Sequence, residues 1–219
     1  MGYYPVLLNL QGHHCVVVGG GPVAEGKVRA LLEAEAKITV ISPEVTEALQ
    51  ELADEGKITL LVRRYRPGDL AGAFLAVCAT DDRDTHELIW QEAMDCGILV
   101  NVVDDPSRCT FIAPSVVRRG DLVVAISTSG KAPALAVRLR ERLEKALGDE
   151  YACFLELVGA LRAPLAARWP DFEQRKALWY QLVDSDVLDL LRQGREMEAR
   201  QRIEEITGIS LRGCLKSPD

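Results

Sequence analysis

The chain has 219 residues, 48% of them hydrophobic, enough to bury a full core in one domain with an appendage or in two modest domains. Its formal net charge of -7 argues against general nucleic-acid binding, which needs a basic face to neutralise phosphates. No stretch approaches the ~18 uninterrupted apolar residues of a membrane span, and Met1-Gly2-Tyr3-Tyr4-Pro5 does not begin an export signal, so neither a nucleic acid nor a membrane is an expected partner and a cytoplasmic protein is expected.

From Cys15 short apolar runs alternate with amphipathic stretches: CVVVG, AEGKVRALLEA, KITVIS, ITLLVRRY, FLAVCAT, DTHELIWQEAMDCG and ILVNVV. Runs of about five apolar residues separated by helices predict a parallel sheet buried on both faces, hence a doubly wound α/β domain over residues 1–113. FIAPSVVRRGDLVVAISTSG then brings two β-rich runs joined by polar RRGD, a hairpin or meander in a separate small unit over 114–147. From Pro133 the pattern is helical. PALAVRLRERLEKAL sets Leu135, Leu139 and Leu143 on one face, and further amphipathic stretches fill a helical domain over 148–219, with the tail LRGCLKSPD expected to fray. Cys15, Cys78, Cys96, Cys109, Cys153 and Cys214 form no C-x-x-C pair and read as reduced thiols.

Gly19-Gly20-Gly21-Pro22-Val23-Ala24 fits G-x-G-x-x-A, with Gly19, Gly21 and Ala24 in the three key places. The first glycine permits a tight turn, the second lets backbone approach a pyrophosphate, and the small third residue lets helix pack on strand. Such a motif alone also occurs in empty turns. Here it follows a strand, opens a helix and starts a β-α-β unit, which predicts a Rossmann-like sheet and a dinucleotide. No acid ends the second strand, so Ser42, Pro43 and Glu44 meet the adenosine ribose. Neither Arg nor Lys stands immediately after Ile41 to welcome a 2′-phosphate, so NAD is expected in preference to NADP.

Ala79-Thr80-Asp81 ends another strand at the carboxyl edge, where open α/β sheets bind ligands, so Thr80 and Asp81 are candidate cofactor contacts. Asp82 reads as the cap of the next helix. In NVVDDPSRCTFIAPS, Asn101 and Asp104 close a very apolar strand before Pro106 forces a turn. A partly buried carboxylate at Asp104 is a candidate base or orienting group, or else an Asp that nucleates the turn. Asn101 is a second catalytic candidate, to orient by hydrogen bonds either that carboxylate or the bound substrate.

VVVGGGPVAEGKVRALLEAEAKITVISPE, AVCATDD, the run from NVVDDPSRCTF to AVRLRERLE, and RKALWYQLVDSDVLDLL together resemble the precorrin-2 dehydrogenase family of siroheme biosynthesis, over roughly residues 4 to 206. The resemblance implies NAD-dependent oxidation of precorrin-2 to sirohydrochlorin by a homodimer with a Rossmann domain, a central dimerisation segment and a C-terminal helical domain. The family's key aspartate falls on Asp104, and its cofactor contacts fall on the Gly19 to Ala24 loop and on Pro43 and Glu44. Some members also insert ferrous iron, and fused members carry a methyltransferase domain. Thr128 stands where the family often has a serine that is phosphorylated in some fused members, and Ala132 stands where it often has Ser or Thr before the helix, a loss that weakens the cap.

A tetrapyrrole with many carboxylates requires a local positive lining. Arg108 and the loop Ser127-Thr128-Ser129-Gly130-Lys131, which opens a helix, are the candidate substrate contacts, whereas Arg140 with Glu144 reads as a solvated helix pair. His13, His14 and His86 have no zinc-site spacing, so no resident metal is expected. A non-catalytic NAD-binding redox sensor is the alternative of a different class.

Overall fold

The computed structural model describes residues 2–211, which divide at the Ala113–Pro114 junction into two compact units. In the first, β1 (His14–Val18), β2 (Lys37–Ile41), β3 (Thr59–Leu61), β4 (Leu75–Cys78) and β5 (Leu99–Val102) make one parallel sheet in the order β3-β2-β1-β4-β5. Helices α1 (Pro22–Glu33), α2 (Glu47–Asp54) and α3 (Arg83–Cys96) lie in the connections. Alternation along each strand sends side chains to two cores. Cys15, Val17, Val40 and Val77 pack with Ala24, Val28 and Leu49, while Val16, Ile41, Ala76 and Val100 pack with Ile89 and Ala93. Each fully buried Val, Leu or Ile among them contributes about 1.5–3 kcal/mol. The strand order reverses between β1 and β4, which places a ligand crevice at the carboxyl ends of those two strands.

Three local expectations change. The first strand starts at His14, whose Nε2 lies 3.0 Å from Thr39 Oγ1 on β2. Of ITLLVRRY only Thr59–Leu61 pairs, because Asp69 draws the chain away: it accepts from both terminal nitrogens of Arg63 at 2.7 and 2.8 Å and from the Arg66 amide at 2.8 Å. Helix α2 has no counterpart in the sequence pattern. It is set by Thr46, whose hydroxyl accepts from the Leu49 amide, and it buries Leu49 alone.

The second unit opens with the expected antiparallel hairpin of β6 (Ser115–Arg119) and β7 (Leu122–Ile126), turning at Gly120, whose φ is +54°. Helices α4 (Pro133–Ala146), α5 (Glu150–Gly159), α6 (Arg162–Arg168), α7 (Phe172–Val183), α8 (Val187–Arg192) and α9 (Glu196–Thr207) follow. Residues 114–147 do not stand apart from the helices as a separate unit. Arg119 donates to the carbonyls of Leu147 and Glu144 at 2.8 Å, and a Cβ on Gly120 would sit 3.0 Å from that of Ala152. The core of this unit is built from α5 to α9 around Phe154, Leu161, Leu182 and Ile203. Leu211, the first residue of the tail expected to fray, belongs to that core; the rest of that tail, Cys214 included, lies outside the described residues. The hairpin and α4 add only Val117 and Ala136 to the buried set, and Leu135 of the predicted leucine face remains 51% exposed. No helix among the described residues is long and apolar enough to cross a membrane.

Candidate functional site

The glycine loop joins β1 to α1. Gly19 adopts φ +123°, and a Cβ there would run into the Ala79 carbonyl at the end of β4. Gly20 is also hemmed in: a Cβ would meet the Glu44 carbonyl and Ser42 Oγ, and its own carbonyl accepts from the Thr46 amide at 2.9 Å. Gly21 differs, since a Cβ would meet nothing within 4 Å. It is the N-cap of α1 and offers no side-chain cap, so the first-turn amides at Val23 and Ala24 have no partner in their own helix. Pro22 occupies the first helical position, where its missing N–H costs nothing, and Ala24 is fully buried against the sheet as the motif requires.

A crevice of 560 Å³ opens over this loop, walled by Gly19, Gly21, Ser42, Pro43, Glu44 and Thr46, with Ala79, Thr80 and Asp81 opposite. Seven of the expected cofactor contacts therefore converge: Gly19, Gly21, Ser42, Pro43, Glu44, Thr80 and Asp81. Ser42 is buried and its hydroxyl donates to the Glu44 carbonyl at 2.6 Å, so it shapes the turn after β2. The fit to a dinucleotide rests on Gly21: the position facing the uncapped helix end is the one with open space beside it.

Ala79, Thr80 and Asp81 also line a second cavity of 560 Å³ at the ends of β4 and β5, together with Val23, Arg83, His86, Val103, Asp104, Asp105 and Arg108. Asp104 stands at its lip with φ +62°, a left-handed conformation that Asp tolerates better than most residues. It is exposed rather than partly buried, and its carboxylate makes no hydrogen bond or ion pair among the described residues. Asn101 does not reach this cavity. It is buried on β5, where Nδ2 donates to the Phe111 carbonyl at 3.1 Å and approaches Cys109 Sγ at 3.5 Å, so it holds the returning chain instead of orienting Asp104.

Arg108 lines the cavity but its guanidinium is occupied by internal carboxylates. Nε and Nη2 donate to Glu87 at 2.9 and 2.7 Å, and Nη1 donates to Asp105 at 2.5 Å. These bonds, that to Glu87 first, raise the Arg108 pKa, while hydrogen bonds from Ser107 and then Arg108 lower that of Asp105. Arg108 thus stands in the wall of this cavity with its guanidinium engaged by Glu87 and Asp105. The cation left there without a partner among the described residues is Arg83, in the first turn of α3, which the sequence reading missed. His86, expected only as a helix residue, places its Nε2 2.6 Å from the Thr80 carbonyl; its position four residues after the Asp82 cap was the available signal. Asp82 does cap α3, accepting from the Asp84 amide and the Thr85 hydroxyl, and these bonds, Thr85 first, lower its pKa.

In the second unit the loop from Ser127 to Lys131 opens α4 as expected. Ser127 Oγ accepts from the Ser129 amide at 3.0 Å, and Thr128 Oγ1 accepts from the Ala132 amide at 3.2 Å. Ser129 and Gly130 are left-handed, with φ of +52° and +77°. Ala132, the N-cap, makes no side-chain cap. Each hydroxyl that accepts within the loop keeps its own proton to donate outward.

Residues 6–115 match the family model described as "Putative NAD(P)-binding", residues 119–146 the model for the sirohaem biosynthesis protein central region, and residues 150–206 the model for the sirohaem synthase dimerisation region. The last match lies C-terminal to residues 114–147, the segment to which the sequence reading assigned dimerisation. A siroheme synthase of Photobacterium profundum is 39% identical over 207 residues, which are 94% of this chain and 44% of that protein. Siroheme synthase 1 of Aeromonas salmonicida is 42% identical over 202 residues, 92% of this chain and 43% of that protein. The chain spans less than half the length of these relatives. Among solved structures, SirC, a precorrin-2 dehydrogenase, superimposes with a TM-score of 0.75 at 27% identity, covering 93% of this chain and 100% of that one.

Proposed function

The chain belongs to the precorrin-2 dehydrogenase family of siroheme biosynthesis, and on that premise we propose that it oxidises precorrin-2 to sirohydrochlorin with NAD. The observation that carries this reading is that two cavities share Ala79, Thr80 and Asp81 in their walls: one lies over an uncapped helix end and the other has the exposed Asp104 carboxylate in its lining.

When bound, NAD supplies the hydride acceptor. The first-turn amides of α1 would hold its pyrophosphate, and the Ser42-Pro43-Glu44 turn would border its adenosine ribose. Oxidation also removes a proton from a neighbouring ring position. Asp104 has no partner among the described residues, so a carboxylate oxygen is available to take that proton or to hold a ring N–H in place. Arg83 supplies positive charge within the same cavity. In the second unit the Ser127 and Thr128 hydroxyls and the Lys131 ammonium, which has no partner among the described residues, are the contacts offered to substrate carboxylates.

The active form is a homodimer. Support comes from the dimerisation match over α5 to α9 and from the uncovered apolar face of α4. The compartment is the cytosol, in keeping with the free thiols of Cys15, Cys78, Cys96, Cys109 and Cys153.

The test is anaerobic incubation of the purified chain with precorrin-2 and NAD. Stoichiometric NADH and sirohydrochlorin are expected. NAD binding without turnover would sink the dehydrogenase reading and leave a non-catalytic sensor. Ferrous ion added to the same reaction decides whether iron insertion accompanies the oxidation.

A further inference from the structure

A smaller cavity of 150 Å³ opens beside the glycine-loop crevice and shares Gly19, Ser42, Pro43 and Thr80 with it. Arg64 forms part of its wall. We propose that Arg64 sets discrimination at the 2′ position of the cofactor's adenosine and admits NADP alongside NAD. The proposal rests on the reading of the crevice as a dinucleotide site.

In a Rossmann crevice the ribose 2′ position is read beside the end of β2, where an acid takes the hydroxyl of NAD and an arginine accommodates the phosphate of NADP. Here β2 ends in Ile41-Ser42, and the Ser42 hydroxyl is already engaged by the Glu44 carbonyl. The cation arrives from the neighbouring strand instead. β3 runs parallel to β2 with Leu61 opposite Ile41, and the Ser42 amide donates to the Leu61 carbonyl at 3.2 Å, so the chain leaving β3 passes alongside the Ser42-Pro43 turn. This explains why inspection of the residues immediately after Ile41 finds no basic group.

The two arginines that follow β3 have different duties. Arg63 is fixed by two hydrogen bonds to Asp69. Arg64 is 85% exposed, and its ion-pair partner is Asp82, at 3.8 Å, beyond hydrogen-bond distance. Asp82 is itself held by its capping bonds to Asp84 and Thr85. The Arg64 guanidinium therefore keeps its donors free, and a phosphate dianion offers it the paired, charge-assisted hydrogen bonds that Asp82 does not make.

Dissociation constants for NAD and NADP, measured by calorimetry on the full chain, test this. The wild type should bind both dinucleotides. Arg64→Ala should raise the ratio of the NADP constant to the NAD constant about tenfold or more, and Arg64→Lys should recover part of the difference because it keeps the charge but loses the fork. An unchanged ratio in Arg64→Ala, or a wild type that binds NAD and not NADP, overturns the proposal while leaving the NAD site standing. A wild type that binds neither overturns the reading of the crevice itself.

Discussion

His86 donates from Nε2 to the carbonyl of Thr80 across 2.6 Å, tying the first turn of α3 back to the chain that leaves β4. A carbonyl only accepts, so the proton is on Nε2. Because Thr80 lines all three cavities at the sheet edge, this bond fixes a wall common to them. His86→Ala should lower stability by about 1 kcal/mol and weaken NAD binding about fivefold, with partial rescue by Gln, which retains a donor. NAD affinity within about twofold of wild type in a folded His86→Ala protein would show that the tether has no part in binding.

Gly19 and Gly21 should separate folding from binding. Gly19→Ala forces a Cβ toward the Ala79 carbonyl at a φ that L-residues avoid, and should cost about 1–3 kcal/mol of stability. At Gly21 a Cβ meets nothing within 4 Å and the backbone is extended, so the fold should survive Gly21→Val while the side chain fills the space required by the pyrophosphate. Calorimetry finding unchanged NAD affinity in folded Gly21→Val would refute the assignment.

The sheet was legible because two-sided burial leaves near-continuous apolar runs in β1, β2, β4 and β5, and the hairpin because RRGD interrupts two such runs. Helix α2 was not, because it is only eight residues long: Leu49, Leu52 and Ala53 share its core-facing side but make a run too short to stand out. Site residues were legible where backbone chemistry dictates residue type, as at Gly19, Gly21 and Ala24. Side-chain partners were not legible, because they depend on which neighbour the fold brings alongside. Asn101 lies three residues from Asp104, but its amide is drawn to Phe111 by a returning chain that no local pattern announces. Arg108 is drawn to Glu87, 21 residues earlier, in the same way.

Residues 114–147 leave apolar surface uncovered, with Leu135, Val137 and Val116 all exposed. Sedimentation at micromolar concentration should give a dimer mass. Leu135→Glu should weaken the dimer about tenfold or more if the α4 face takes part, since a charge is desolvated there without a partner. A wild-type monomer removes the dimer proposal. A dimer indifferent to Leu135→Glu assigns the contact to the matched dimerisation region, α5 to α9.

Burial pushes the thiols of Cys15 and Cys78 up to about 11 from an ordinary value of 9.0. Both are fully buried in the native sheet, so unfolding releases them to titrate nearer 9. Their contribution to stability is complete below pH 9 and is lost as pH rises through 11, because the unfolded chain gives up these protons first. Urea unfolding from about pH 8 to 11 should show a progressive fall in stability, and iodoacetamide at about pH 8 should label the exposed Cys96 and Cys153 well ahead of these two. Equal labelling rates in the folded protein would contradict the burial.

Asp104 gives the sharpest division between structure and chemistry. Its backbone is left-handed and its carboxylate has no partner among the described residues, so replacing one oxygen with an amide removes charge without removing an internal contact. Asn is also among the few residues that tolerate this φ, so Asp104→Asn should melt within a degree or two of wild type and bind NAD normally. If the carboxylate takes the substrate proton or positions the ring, dehydrogenase turnover should fall by about 100-fold or more, the range that loss of a general base produces. A turn-nucleating Asp predicts the reverse, a lower melting temperature with near wild-type turnover of the folded fraction. Asp104→Ala supplies the second reading: it adds the backbone strain that Asn relieves, so a loss of turnover common to both variants, with lowered stability only in Ala, assigns the effect to the carboxylate. Exposure of that group in the single chain means that its surroundings during turnover come from substrate and cofactor, and the pH dependence of turnover, compared with and without saturating precorrin-2, reads the change directly.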